Sequence, residues 1–213
     1  MHKKTKYMNI EYSDKDIWYI DELINGLGNI SQEIVDFFDI REINVNVILY
    51  NSIEKFRKKF WEIFCYQCKE WTCGFVSRKK ENTIYTLSLD EYRKTKYHEL
   101  HNLDDLIFLI LHEFVHSCHN QYTKNHLYVW LSEGLATYLS HQYDKYHVNE
   151  LNCQLDNLIN GGVSYNNYYF MFKYTYEKYG IDYIKMLLKN EQFMIEQTPF
   201  LYNSIIKSKK MVK

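Results

Sequence analysis

Proline is nearly absent: Pro199 is the only one in 213 residues, and glycine contributes seven. No Pro/Gly-rich linker divides the chain. There are no repeats and no low-complexity tract, so one domain over residues 1–213 is the expected organisation. Long apolar runs are also missing. The longest, Leu106 to Leu111, is far too short to cross a bilayer. The basic opening MHKKTKYMNIEYSDKDIWYI lacks the apolar core of a signal peptide. A cytoplasmic location with no membrane partner is therefore expected. Neither sign of charge dominates. The 26 basic residues balance 27 acidic ones to a net −1, which gives no basis for binding nucleic acid. The five cysteines are an odd number, against a disulfide framework. Cys65 and Cys68 form a CxxC with no second pair at zinc-knuckle spacing, so reduced, buried thiols are expected. The basic tail Lys207 to Lys213 reads as a solvated, frayed terminus.

What is present is an ordinary globular balance, 46% apolar and 25% charged, enough for a real core. Asp16 to Phe38 has helical spacing, interrupted by Gly26 and Gly28, which suggests two helices. Ile43 to Tyr50 alternates with Ile43, Val45, Val47 and Leu49 on one face, the pattern of a strand. Ser52 opens a helix with Phe56, Phe60 and Phe64 spaced by four. Trp71 to Val76 and Thr83 to Leu89 are further strands. Helices follow over about 103–120, 126–143, 150–159, 164–179 and 181–189, the last two separated by Gly180 as a C-cap. Pro199 ends whatever precedes it, with a last turn or two after Leu201. The expected class is α+β: a small twisted sheet with an edge strand beside a functional helix, about residues 1–120, then a mostly helical part, about 121–213.

The chemistry concentrates in residues 108–120, FLILHEFVHSCHN. His112 and His116 are four apart, so a helix places both imidazoles on one face, one turn from each other. Two imidazoles so placed can take adjacent sites on one tetrahedral zinc. Glu113 starts near the same face and can reach a zinc-activated water as its proton acceptor. The flanks Leu106, Ile107, Ile110, Leu111, Phe114 and Val115 make the helix apolar on most sides, hence buried. Buried histidines and a buried glutamate need partners, and a metal supplies them. A third protein ligand is required. Glu133, in WLSEGLA and sixteen residues beyond His116, can return on an antiparallel helix. Gly134 beside it has no side chain and would permit a close helix approach.

HEFVH followed by WLSEGLATYL resembles the gluzincins, zinc peptidases with an HExxH helix and a glutamate ligand on a following helix. The nearest type is the thermolysin-like and aminopeptidase-like group. The resemblance is specific over residues 106–140 and looser over 43–100 and 165–190, where YNNYYFMFKYTYEKYG resembles a tyrosine-rich helix of small bacterial members. It implies one zinc per chain held by His112, His116 and Glu133, with Glu113 as general base and a peptide or protein substrate lying along an edge strand. Thr83 to Leu89 is the expected edge. It further implies an oxyanion donor opposite the metal, assigned to Tyr165 with Tyr169 next in line.

Two departures matter. Thr137 stands where a thermolysin-like enzyme has an aspartate supporting a zinc histidine, and no GxMxN exopeptidase stretch precedes the zinc helix.

Other families fit less well. The metzincin HExxHxxGxxH pattern is absent, since His119 takes its glycine position and Tyr122 its last histidine position. His119 is expected at the rim or behind the ligands, and His126 and His141 on helix surfaces. Cys73-Gly74 raises a deformylase-like alternative, but Val115 stands where those enzymes have aspartate. The rival from another class is a non-catalytic zinc-binding interaction domain, for which Glu113 has no evident use.

Overall fold

The structure, a computed structural model, describes residues 1–77, 82–143 and 150–211. Together they form an α+β protein with one mixed sheet and a mostly helical C-terminal part. The chain divides into two compact units, Met1–His119 and Asn120–Lys213.

The first unit holds a five-stranded sheet. Its strands are β1 (His2–Lys4), β2 (Met8–Glu11), β3 (Val45–Tyr50), β4 (Gly74–Ser77) and β5 (Thr83–Leu87), in spatial order β1-β2-β3-β5-β4. The β2–β3 and β3–β5 pairs are parallel; the outer pairs β1–β2 and β5–β4 are antiparallel. Strand β5 is therefore interior, and the edge on this side is β4. This corrects the expectation that Thr83 to Leu89 forms the edge. The segment before β5 in the chain folds back outside it, occupying its free side. The alternation of β3 holds: Val45, Val47 and Leu49 are buried, while Asn46, Ile48 and Tyr50 are half-buried.

The helices of this unit are α1 (Ile17–Phe37), α2 (Ile53–Phe64), the single turn α3 (Leu89–Tyr92) and α4 (Leu103–Tyr122), whose last three residues fall in the second unit. Helix α1 runs unbroken through Gly26 and Gly28, not as two helices. A side chain at Gly26 would meet Ile107 of α4, its Cδ1 lying 2.4 Å from an added Cβ, so this glycine is where α1 and α4 approach. Helix α2 starts at Ser52, whose hydroxyl accepts from the Lys55 N–H, a side-chain cap. Its Phe56 and Phe60 pack on Phe75, with ring centroids 5.3 and 5.1 Å away. Gly74, the neighbour of Phe75, faces the other way, 3.2 Å by its virtual Cβ from the Leu109 side chain of α4. The edge strand β4 thus lies between α2 and α4, one residue to each side, as the two-residue period of a strand requires.

The second unit is built from α5 (Val129–Leu139), α6 (Leu155–Asn160), α7 (Tyr165–Lys189) and α8 (Glu191–Met211). Gly180 adopts φ 80°, ψ 179° inside α7, the break expected there. Helix α8 is longer than the sequence suggests, with Pro199 inside it. A proline removes one N–H from the helix ladder and costs about 3 kcal/mol. Burial of Met194, Leu201 and Ile205, and a bond from Trp130 Nε1 to Thr198 Oγ1 at 3.3 Å, oppose that cost. The helix carries the basic tail as far as Met211; residues 212–213 lie outside the described residues.

Helices α5 and α7 meet at Gly134. A Cβ there would sit 2.5 Å from the Tyr168 carbonyl oxygen and 2.7 Å from Phe172 Cβ, closer than real atoms approach. Gly134→Ala gains about 1 kcal/mol of helix propensity, but overpacking of this kind costs about 1–3 kcal/mol. A net loss of stability is expected, read as a lower urea midpoint. A variant at least as stable as the wild type would mean that the two helices do not approach here as described.

Candidate metal centre

His112 and His116 sit mid-way along α4, where almost every residue from Leu106 to His119 is buried. Their rings stand 4.9 Å apart at 79°, with Nε2 to Nε2 at 3.2 Å. Two nitrogens at about 2.0–2.1 Å from a tetrahedral zinc lie about 3.3–3.4 Å apart. The pair is therefore spaced as two ligands of one ion, and a shared proton or a cation can hold it. Glu113 is 9% exposed, so its carboxylate is withdrawn from bulk solvent.

Glu133 is the fifth residue of α5 and half-buried. Single ligand atoms of His112, His116 and Glu133 all lie within 4.8 Å of one another. This His-His-Glu group can hold a metal ion. Its donor set, two imidazoles and a carboxylate, is one that zinc accepts, and it leaves a fourth position for water or substrate. Thr137 does not support the histidines as an aspartate would. Its hydroxyl turns back to its own helix and donates to the Glu133 and Gly134 carbonyls at 2.8 and 3.1 Å.

The remaining sequence candidates fall as follows. His119 is buried, at 5% exposure. His126 is exposed in the loop before α5, not on a helix, and His141 follows the end of α5 with φ 58°. Tyr165 is the first residue of α7 and 41% exposed, its ring 5.8 Å from that of Tyr168. Tyr169 is buried, packed near Tyr138 and Tyr143 with ring centroids 6.0 and 5.6 Å away. Cys73 is not part of the His-His-Glu group. Its sulfur lies 3.5 Å from His98 Nδ1 and 3.7 Å from Thr95 Oγ1.

Two features escape the sequence reading. Tyr168 is buried, and burial, with a smaller contribution from the Glu133 carboxylate, raises its phenol above the ordinary tyrosine value. Tyr168 is thus a tyrosine whose titration registers Glu133. Only the Gly134 approach, which sets α7 against α5, could have signalled it. The second feature is the cluster around Cys73 and His98. Its one sequence trace is the unremarked pair His98 and His101.

No family model, curated protein or solved structure matches the chain. Among the described residues, no helix is long and apolar enough to cross a membrane.

Proposed function

We propose that the chain is a gluzincin-type zinc peptidase that hydrolyses peptide bonds in a peptide or protein substrate. The observation that carries this reading is the convergence of His112, His116 and Glu133 ligand atoms within 4.8 Å, with the buried Glu113 adjacent to His112. Zinc at this group would act as a Lewis acid on the scissile carbonyl and bring the pKa of a neighbouring water toward neutrality. His112, His116 and Glu133 hold the ion. Glu113 accepts the water's proton and delivers it to the leaving amine. Its position supports the role: it follows His112 directly on α4 and is withdrawn from bulk solvent at 9% exposure.

The free edge of β4 is where an extended peptide can add as a further strand, its backbone pairing with unpaired N–H and C=O groups. Gly74 in β4 packs on Leu109, one helical turn before Glu113 on α4. This contact favours β4 over the interior β5 as the substrate strand.

Incubation with an unfolded protein tests the proposal. The zinc-loaded chain is expected to cleave it, a chelator to stop cleavage and added zinc to restore it. A zinc-loaded chain that leaves the substrate intact would favour the non-catalytic binding domain. In the same assay, Tyr165→Phe is expected to keep the metal and lower turnover by roughly a hundredfold, the scale of one lost oxyanion donor. Normal turnover in that variant, with a deficit in Tyr168→Phe, would move the role to Tyr168.

A further inference from the structure

We propose that a groove on the outer flank of α2 is a specificity subsite, which takes an acidic side chain of the peptide and uses Arg57 and Lys58 to select it. The inference rests on the peptidase reading above and narrows it to a substrate class. The groove lies wholly within the first unit.

The case begins with the faces of α2. Phe56, Phe60 and Phe64 all turn to Phe75 of β4, with ring centroids 5.3, 5.1 and 5.6 Å away. Each helical residue is rotated about 100° from the one before it. Lys59 therefore lies on one flank of this apolar stripe, and Arg57 and Trp61 lie on the other. The Lys59 flank leans inward over the sheet, its Nζ 5.6 Å from the ring centre of Tyr85 on the interior strand β5. The Arg57 and Trp61 flank accordingly leans outward, past the free edge of β4. Lys58 stands on the crest beside them. The Arg57 charge also reaches the Cys73 thiol, one residue before β4 begins.

The chain then builds a second wall. Cys65 closes α2 in the left-handed conformation, φ 60°, its N–H donating to the Trp61 carbonyl at 2.8 Å. From there the chain returns to the edge strand, through a turn in which the Thr72 N–H donates to the Lys69 carbonyl at 3.0 Å. Between helix and returning segment is an open groove of about 480 Å³. That volume is within the range of small-ligand sites, about 300–1,000 Å³. Arg57, Lys58 and Trp61 line it from α2, and Gln67, Cys68 and Glu70 from the segment opposite.

Two cations against one carboxylate leave this lining positive. The neighbouring Lys59 is paired with Glu62 at 3.6 Å, but the Arg57 and Lys58 side chains have no hydrogen-bond or ion-pair partner among the described residues. A carboxylate suits them. A guanidinium can take it through two parallel N–H bonds, and the ammonium adds a point charge. The Gln67 amide is a further donor. The Trp61 indole, 55% exposed, is a flat apolar wall for the methylenes of an aspartate or glutamate. Glu70 repels a second negative charge, which favours one carboxylate over a phosphate-rich ligand. The location supplies the peptide. A strand added to β4 sends alternate side chains to opposite faces. Those in line with Gly74 point to Leu109 and α4, the helix of His112 and His116. Those in line with Phe75 point to the α2 face, where the groove opens.

Peptide selection tests the subsite apart from the chemistry. A pool of random synthetic peptides, with Glu and Gln equally represented at every position, is passed over the immobilised full chain carrying Glu113→Gln and loaded with zinc. Retained peptides are read by mass spectrometry. Glu is expected to be enriched over Gln at one position by about fivefold, the upper end of what an exposed ion pair contributes. Adding Arg57→Gln and Lys58→Gln should abolish the enrichment. Both side chains are exposed, so the fold has little reason to fail. Lys59→Gln removes the same charge from the inner flank and should leave the enrichment in place. No enrichment in the parent chain, its persistence without Arg57 and Lys58, or an equal loss with Lys59→Gln would overturn the proposal. The retained peptides are then given to the zinc-loaded wild type. Cleavage without any preference for Glu removes the subsite and keeps the peptidase; selection of Glu without cleavage keeps the acid-binding groove and removes the peptidase.

Discussion

Glu113→Gln is expected to abolish nearly all peptide hydrolysis while retaining the metal and the fold. The substitution preserves size and shape at a position only 9% exposed, so packing along α4 has little reason to change. What it removes is the proton acceptor. An amide cannot take a proton from water or return one to a leaving amine, and general base catalysis contributes typically about 10²–10⁴-fold. Glu113 is not in the ligand group, so metal content should match the wild type. Turnover of a verified substrate, metal analysis and circular dichroism on one preparation make the check. Cleavage at the wild-type rate would remove Glu113 from the mechanism, and loss of the metal would make it a ligand instead.

The second large effect is on metal affinity. His116→Ala and Glu133→Ala each remove one of three protein donors, and even residues behind the ligands commonly affect affinity by about 10–100-fold. Losses of more than about a hundredfold are expected in competition with a chromogenic chelator. The loss should also appear as stability. An ion that binds only the folded chain adds about 2.7 kcal/mol at a free concentration of 100 times its dissociation constant, and the variants forfeit that gain. Cys73→Ser serves as the contrast: its sulfur contacts Thr95 and His98, so tight binding should persist. If Cys73→Ser empties the tight site and Glu133→Ala leaves it filled, the deformylase-like alternative replaces the His-His-Glu assignment.

The elements that the sequence foretells well are those with strong local patterns. Val45 to Leu49 alternates, and α4 and α5 carry dense apolar spacing with a recognisable motif. The misses share a cause. Strands β1 and β2 span only three and four residues, too few for an alternation to stand out. The continuity of α1 through two glycines, and of α8 through Pro199, runs against propensity, and packing overrides propensity in both. Gly26 is occupied by Ile107 from α4, and Thr198 beside the proline is tied to Trp130.

The site divides along the same line. The sequence by itself placed His112, Glu113 and His116 on one helix, because a four-residue spacing becomes one shared face through local backbone geometry alone. It also marked Glu133 as the matching carboxylate and Gly134 as a place of close approach. It had no means to decide which strand forms the sheet edge, because register and order depend on contacts between residues far apart in the chain. Nor did it show that Thr137 turns back on its own helix, that Tyr168 registers the charge of Glu133, or that Cys73 meets His98 across twenty-five positions. Those facts arise from long-range packing, where the identity of a neighbour is set by how whole elements dock and not by the spacing of residues within any one of them.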